Sequence, residues 1–222
     1  MNGAMNPADP ADLPTTPYDL DDDLLEAVRE AQAPRVRVRP WTGGPAVVIG
    51  RGGKQELELN RQAIAADAIP LYRRPGGGCA VVLDEGNLTV AVVLPLPGVG
   101  SITAAFGGIS SWLAAGLAEC GLPGVEQEGT SDLVRDGRKI GGSCIWRTRG
   151  LLYYATTLLV KPDLDLVARY LPHPPREPAY RAGRHHRDFM GRLESHGEHL
   201  EVAELASLLE ITLSKGLNSL VL

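Results

Sequence analysis

The sequence predicts an α+β (mixed α/β) fold: a largely antiparallel mixed β-sheet with helices packed against it. Three observations predict this. Short β-branched runs are joined by tight turn signals, as around Asp84-Glu85-Gly86-Asn87, Asp136-Gly137 and Thr148-Arg149-Gly150. Between them stand segments with apolar residues at helical spacing, the longest being Ser101 to Cys120. Strands and helices do not alternate one for one, as a parallel βαβ sheet would require. The chain has 222 residues, 44% hydrophobic and 22% charged, ample for a buried core of this kind.

In order, Met1 to Thr16 is rich in Ala, Asp, Pro and Thr and lacks the basic-then-apolar order of a signal peptide. Residues 1–17 therefore read as a disordered tail before a single domain over 18–222. Tyr18 to Ala31 carries Leu20, Leu24, Leu25 and Val28 at helical spacing, with Asp21 to Asp23 favourable in the first turn. Arg35 to Val38 alternates as a strand, and Pro45 to Gly50 reads as a buried strand stopped by glycine. Glu56 to Ala66 is expected as one helix, followed by an extended Pro70 to Arg74. Ala80 to Leu83 and Leu88 to Leu94 are expected as a hairpin.

Ser101 to Cys120 places Ile102, Ala105, Phe106, Ile109, Trp112, Leu113 and Leu117 on one stripe, closed by Gly121. Asp136-Gly137 turns one short strand at Leu133-Val134 into another starting at Lys139-Ile140. Ile145 to Arg147 and Leu151 to Val160 form a further pair. Asp163 to Leu171 reads as a short helix, and the prolines from Leu171 to Pro178 impose an extended loop. Leu200 to Leu213 is amphipathic helix, so no separate accessory domain is expected after residue 190.

Composition narrows the function. The net charge of −5 argues against general nucleic-acid binding, which needs a basic face. No apolar run approaches the ~18–20 residues of a spanning helix, and a cytoplasmic, non-membrane protein is expected. Three cysteines without a CxxC pair fit reduced thiols. Arg135, Arg138, Lys139, Arg147 and Arg149 form a local basic cluster that suits either solvent or an acidic carrier protein. Gly50-Arg51-Gly52-Gly53-Lys54 fails as a phosphate loop because Gln55 follows the lysine. His185-His186 and His196-Gly197-Glu198-His199 lack further ligands at metal spacing, and no GxSxG elbow exists.

Two stretches carry chemistry. In Arg73-Arg74-Pro75-Gly76-Gly77-Gly78-Cys79, consecutive glycines allow close backbone approach and leave N–H groups free for an anion, with arginine donors beside them. In Ser131-Asp132-Leu133 to Gly137-Arg138-Lys139-Ile140-Gly141-Gly142-Ser143, a lysine leaves the tip of a turn into a glycine-rich strand.

Together these resemble the lipoate–protein ligase A and octanoyltransferase family, of the biotin/lipoate protein ligase catalytic-domain superfamily. Pro45 to Arg51 with Glu58-Leu59-Asn60 is similar to its "VVIGR…E-x-N" opening. Arg73 to Val81 with Asp84-Glu85-Gly86-Asn87 is similar to "RRxSGGGAV…D-x-GN", and Ser131 to Ser143 to "NDL…dRKvSGSA". Thr157-Leu158-Leu159 matches the end of "HGTLL". The resemblance spans residues 35–190 and implies a catalytic domain like those of biotin ligases and class II aminoacyl-tRNA synthetases. The biotin branch is not matched, since an arginine-rich loop would stand where Arg73 to Gly78 does.

The resemblance also implies roles. Lys139 and Asp132 would be catalytic, Lys139 meeting the acyl carbonyl and phosphate and Asp132 holding Lys139 or meeting nucleotide or magnesium. Arg73, Arg74, Gly76, Gly77, Gly78, Cys79, Asn87, Ser131, Gly142 and Ser143 would bind substrate. ATP with Mg2+ and lipoate or octanoate would be consumed. The acceptors would be lysines of lipoyl-carrier domains, the 2-oxoacid dehydrogenase E2 or the glycine-cleavage H protein, with a separate accessory subunit an option.

Four positions depart from the family pattern: Gly76 replaces Ser/Thr, Cys79 replaces the third glycine, Ser131 replaces Asn and Ala155 replaces His. Three readings follow. ATP-dependent ligation through an acyl-adenylate leads, because no cysteine stands where the transferase branches place theirs. Transfer of an acyl group from an acyl carrier protein thioester is the second, with Cys144 or Cys79 as nucleophile. A non-catalytic acyl-binding or partner subunit is the third.

Overall fold

Two sheets face each other across a cavity, and the chain crosses between them several times. The computed structural model describes residues 11–96, 102–194, 200–217 and 220. The larger sheet runs β2 (Arg35–Pro40), β6 (Asn87–Pro95), β10 (Leu151–Leu159), β9 (Arg138–Thr148), β8 (Asp132–Arg135), β7 (Glu126–Glu128), antiparallel throughout. The smaller runs β1 (Thr16–Pro17), β4 (Leu71–Arg73), β3 (Ala46–Ile49), β5 (Val81–Leu83), where only the β3–β5 pair is antiparallel. The helices are α1 (Asp22–Ala31), α2 (Gln55–Glu58), α3 (Arg61–Ala66), α4 (Ile102–Glu119), α5 (Leu164–Tyr170), α6 (His186–Phe189) and α7 (Val202–Gly216). The expectation of a largely antiparallel α+β fold holds.

Two-residue turns set the register of the central ribbon. Asp136 and Gly137 sit at φ 53° and 69°, Arg149 and Gly150 at 46° and 79°. Positive φ at both central positions matches the right-handed strand twist, so β8–β9–β10 forms a tight meander. Alternation then sorts the faces. Val90, Val92, Leu152 and Tyr154 pack against Ile109 and Leu113 of α4 and Leu205 and Leu209 of α7. Each such side chain contributes about 1.5–3 kcal/mol by burial. On the opposite face, Leu24, Leu25 and Val28 of α1 cover Val93, Leu151 and Tyr153. A third cluster fills the smaller sheet with Val47, Ile49, Leu71, Val167 and Tyr170.

The structure corrects several expectations. The helix expected over 56–66 is two, because the Asn60 side chain accepts from Ala63 N–H and caps a new start. Residues 84–87 do not join a hairpin: β5 pairs with β3 while β6 pairs with β2 and β10, so the turn is a corner between sheets. Asp84 ties that corner, its Oδ1 accepting from Gly86 N–H at 2.7 Å and its Oδ2 from Asp163 N–H at 2.9 Å. Gly86 is required there, since a Cβ would stand 2.0 Å from the Lys161 carbonyl oxygen. β9 runs unbroken through Gly141 and Gly142. The short β7 and α6 have no periodicity to betray them.

The tail expected over 1–17 is engaged in its last part. Leu13 exchanges two hydrogen bonds with Gln55, Arg61 meets Asp12 at 3.1 Å, and Thr16–Pro17 pairs with β4. His196 and His199 lie outside the described residues, as does Ser101. Among the described residues, no helix is long and apolar enough to cross a membrane.

Candidate active site

Rows of residues across β6, β10 and β9 make the cavity floor, the first two in full and the third through Tyr153 alone. Register places Thr89–Thr157–Gly142 in one row, Ala91–Ala155–Cys144 in the next and Val93–Tyr153–Trp146 in the third. The middle row is small throughout, which leaves a groove running along the strands from Thr157 to Tyr153. The groove belongs to a cavity of about 670 Å³, roofed by Val81 to Leu83 of the smaller sheet and by Pro172 to Pro178.

One end of the groove holds the lysine. Lys139 Nζ lies 2.7 Å from Asp132 Oδ1, with the two side chains 25% and 12% exposed. Tyr180 O–H donates to Asp132 Oδ2 at 2.8 Å, so both carboxylate oxygens are engaged. Burial, and then the Asp132 charge, pushes the Tyr180 phenol far up, which keeps it a donor. Gly142 makes room for the pair: a Cβ there would meet Lys139 Cε and Nζ at 3.2 Å. The adjacent Ser143 is fixed from behind, its N–H on the Ser131 carbonyl at 2.8 Å and its Oγ 2.7 Å from Tyr154 Oη.

The glycine loop forms a neighbouring wall. Gly78 sits at φ 90°, and its carbonyl approaches Gly50 so closely that a Cβ on Gly50 would lie 2.3 Å from it. Arg74 holds the loop, donating to the carbonyls of Val48, Gly77 and Cys79 at 2.8–3.2 Å. Arg73 Nη1 donates to the carbonyls of Gly50 and Gly53. The arginines are thus struts whose guanidinium groups satisfy backbone oxygens.

Ten expected site residues line the cavity: Arg74, Gly77, Gly78, Cys79, Ser131, Asp132, Lys139, Gly142, Ser143 and Cys144. Three do not. Arg73 faces the Gly50–Gly53 turn, and Gly76 backs onto Cys144. Asn87 is fully buried in the inter-sheet corner, where its Nδ2 donates to Asp84 Oδ1 at 2.8 Å. These three sit instead in the loop and the corner that frame the cavity. Among the described residues, no group of three or more His, Cys, Asp or Glu is arranged to hold a metal.

Residues 14–213 match the family model of the lipoyl protein ligase A/B catalytic domain. The chain belongs to this family. The chain is 29% identical over 155 residues to the lipoate–protein ligase of Streptococcus pyogenes, covering 68% of this chain and 40% of that relative. It therefore spans less than half the length of that protein. Its fold is shared with a lipoate–protein ligase A solved with ATP bound (TM-score 0.71, 23% identity, 93% of this chain and 84% of that one). The bipartite lipoate protein ligase of Thermoplasma acidophilum is similar too, at TM-score 0.71 and 21% identity over 92% and 82% of the chains. The resemblance drawn from the motifs is borne out.

Neither cavity cysteine is an activated thiol. Burial pushes the Cys144 thiol up, with the neighbouring Arg74 only partly offsetting it. Burial and the Glu58 carboxylate push Cys79 up. A nucleophilic cysteine needs the opposite shift. Tyr180 was missed by sequence reasoning, since it stands 48 residues from its partner, just past the Leu171 to Pro178 loop, in a segment to which no element was assigned. The Ala91–Ala155 floor was missed as well; Ala155 registered only as a lost histidine, although small residues in register on adjacent strands signal a groove.

Proposed function

We propose that this domain attaches a lipoyl or octanoyl group in amide linkage to a specific lysine of lipoyl-carrier domains, by way of an acyl-adenylate. The carrying observation is the Lys139–Asp132–Tyr180 array at one end of a groove floored by small residues. An acyl chain in the groove would put its carboxyl group at the ammonium. A carboxylate oxygen then attacks the α-phosphorus of ATP and pyrophosphate leaves. Lys139 stabilises the carbonyl and phosphate oxygens as charge shifts onto them. The carrier lysine, once deprotonated, attacks the carbonyl carbon, AMP leaves, and the amide forms. Asp132 is the positioning partner of Lys139, and any Mg2+ would arrive with the triphosphate. Adenylation is favoured over thioester transfer because both cavity thiols are shifted away from the thiolate.

The relative solved with ATP supports the nucleotide, and the archaeal ligase studied with its E2 lipoyl domain supports an E2-type acceptor and a two-part arrangement. The glycine-cleavage H protein is the second acceptor proposed. Intact-mass analysis of a lipoyl domain tests the reading. Lipoate, ATP and Mg2+, with an accessory subunit supplied, should add one lipoyl group, and Lys139→Ala should slow this at least ~100-fold. Modification by an acyl carrier thioester without ATP would establish the transferase reading. No modification under either condition would leave acyl binding alone.

A further inference from the structure

Among the described residues two arginines are buried, Arg61 and Arg181. Arg61 meets Asp12 at 3.1 Å. At the far end of the groove the partly exposed Arg39 is likewise settled: it donates to Asp21 Oδ1 at 2.8 Å, while the Tyr153 O–H takes Oδ2 at 2.7 Å. Arg181 is different. It is 4% exposed and lines the cavity, yet its Nη2 is closed off from water without a hydrogen-bond partner. Its acid contact is loose, with Nε 3.3 Å from Glu177 Oε2 and its N–H donating to the Arg184 carbonyl at 3.0 Å. Glu177 is also shared, its Oε1 accepting from Gly183 N–H at 3.1 Å and its Oε2 lying 2.9 Å from His173 Nε2.

Charge around Arg181 is out of balance. Arg181 and Arg184 both lie over the Phe189 ring, 4.7 and 5.3 Å from its centroid. Arg184 donates to the carbonyls of Gly137, Tyr180 and Arg181, and among the described residues it has no acid partner. Three cations, Lys139, Arg181 and Arg184, therefore share two carboxylates, Asp132 and Glu177. Glu58 is taken by the Ala80 N–H at 2.7 Å, and Glu128 is exposed, where water screens it. A buried guanidinium donor without an acceptor is the costly case, which an entering anion relieves. We propose that Arg181 binds a phosphoryl oxyanion at the Lys139 end of the cavity. The acyl carboxyl end has its own donor in Lys139, whereas a phosphoryl group brings further oxygens that a guanidinium fork matches.

Two sources carry such a group, a nucleotide and the phosphopantetheine arm of an acyl carrier; the choice of nucleotide rests on the acyl-adenylate reading. Calorimetric titration of the whole chain with AMP, adenosine and lipoate tests the site without turnover. Arg181→Gln should weaken AMP about tenfold or more and leave adenosine and lipoate within about twofold. Glu177→Gln, at an exposed position, keeps an acceptor for Gly183 N–H but removes the competing charge, and should tighten AMP about threefold or more. Unchanged AMP affinity in Arg181→Gln, or in Glu177→Gln where Arg181→Gln does not fold, overturns the nucleotide assignment. The same titrations with 4′-phosphopantetheine and pantetheine separate the sources. A loss in Arg181→Gln confined to 4′-phosphopantetheine keeps the phosphoryl site and sinks the adenylate. Indifference of both phosphate ligands to Arg181 overturns the site, while ATP-dependent carrier modification that persists leaves the adenylation reading standing.

Discussion

Gly76 and Cys144 are coupled, and a double-mutant cycle exposes it. The family pattern carries Ser or Thr at the position of Gly76, where this chain instead has Cys144 pressed against the glycine. A Cβ on Gly76 would stand 2.6 Å from Cys144 Sγ and 2.9 Å from Cys144 Cβ. Both are shorter than real Cβ contacts, and Cys144 is buried on a central strand, so the loop must yield. Gly76→Ser should therefore cost about 1–3 kcal/mol, the range for overpacking. Cys144→Ala alone removes one buried sulfur and should cost about 1 kcal/mol. In the double variant the sulfur clash is gone and only the 2.9 Å approach remains, which a small loop shift relieves. The double variant should then be more stable than Gly76→Ser alone, with a coupling energy of about 1 kcal/mol or more. Urea unfolding at constant m-value measures each corner of the cycle. An equal penalty for Gly76→Ser with and without Cys144 would refute the contact as the reason for glycine at position 76.

Further outcomes follow from the same geometry. Asp132→Asn keeps the shape but weakens the hold on Lys139, and should slow carrier modification about tenfold or more at little change in lipoate affinity. Tyr180→Phe should do the same more weakly; an unchanged turnover number in Asp132→Asn would show that the pair does not position the lysine. At Asp67, hydrogen bonds from Arg169 and then Tyr170 lower the carboxyl from 3.8 to about 2. Its folded pKa is depressed, so its stabilising contribution is present above about pH 4 and is lost as pH falls towards 2. Asp67→Asn should therefore destabilise at neutral pH and lose that effect near pH 2, checked by paired urea titrations and by the NMR midpoint of Asp67.

The parts of the fold legible in the sequence were those fixed locally. Asp136-Gly137 and Arg149-Gly150 specify their own turns through positive φ, and the α4 stripe specifies its buried face. What was misread depended on distant partners. The run Asp84 to Asn87 has every local sign of a hairpin, yet Asp84 takes the Asp163 N–H and the Lys161 carbonyl presses on Gly86, so the chain turns into another sheet. In the site, Lys139 and Asp132 were found because they flank one hairpin. Tyr180 and Arg39, which complete the two ends of the groove, arrive from 48 and 18 residues away from the carboxylates they bind. Arg73 and Arg74 show the opposite failure: cationic residues at a glycine loop suggest anion donors, but Val48, Gly50, Gly53, Gly77 and Cys79 carbonyls claim them first.

That assignment changes what Lys139 must do. With Arg74 occupied by the loop, the proposed adenylation leaves the Lys139 ammonium to meet the acyl carboxyl end, and it is already paired with Asp132 at 2.7 Å. An ammonium has three N–H donors, so the Asp132 bond leaves two. Those two can span the carbonyl oxygen and the phosphate oxygen on either side of a mixed anhydride, whereas a thioester offers only the carbonyl. Asp132 fixes the direction in which the remaining donors point, and Tyr180 fixes Asp132 in turn. The pairing also tempers the positive charge at the groove mouth, so that a free carboxylate is held less tightly there than a bare lysine would hold it. On the proposed route, binding strength would thereby be reserved for the adenylate, where the second donor finds its oxygen, which is the differential that lowers a barrier.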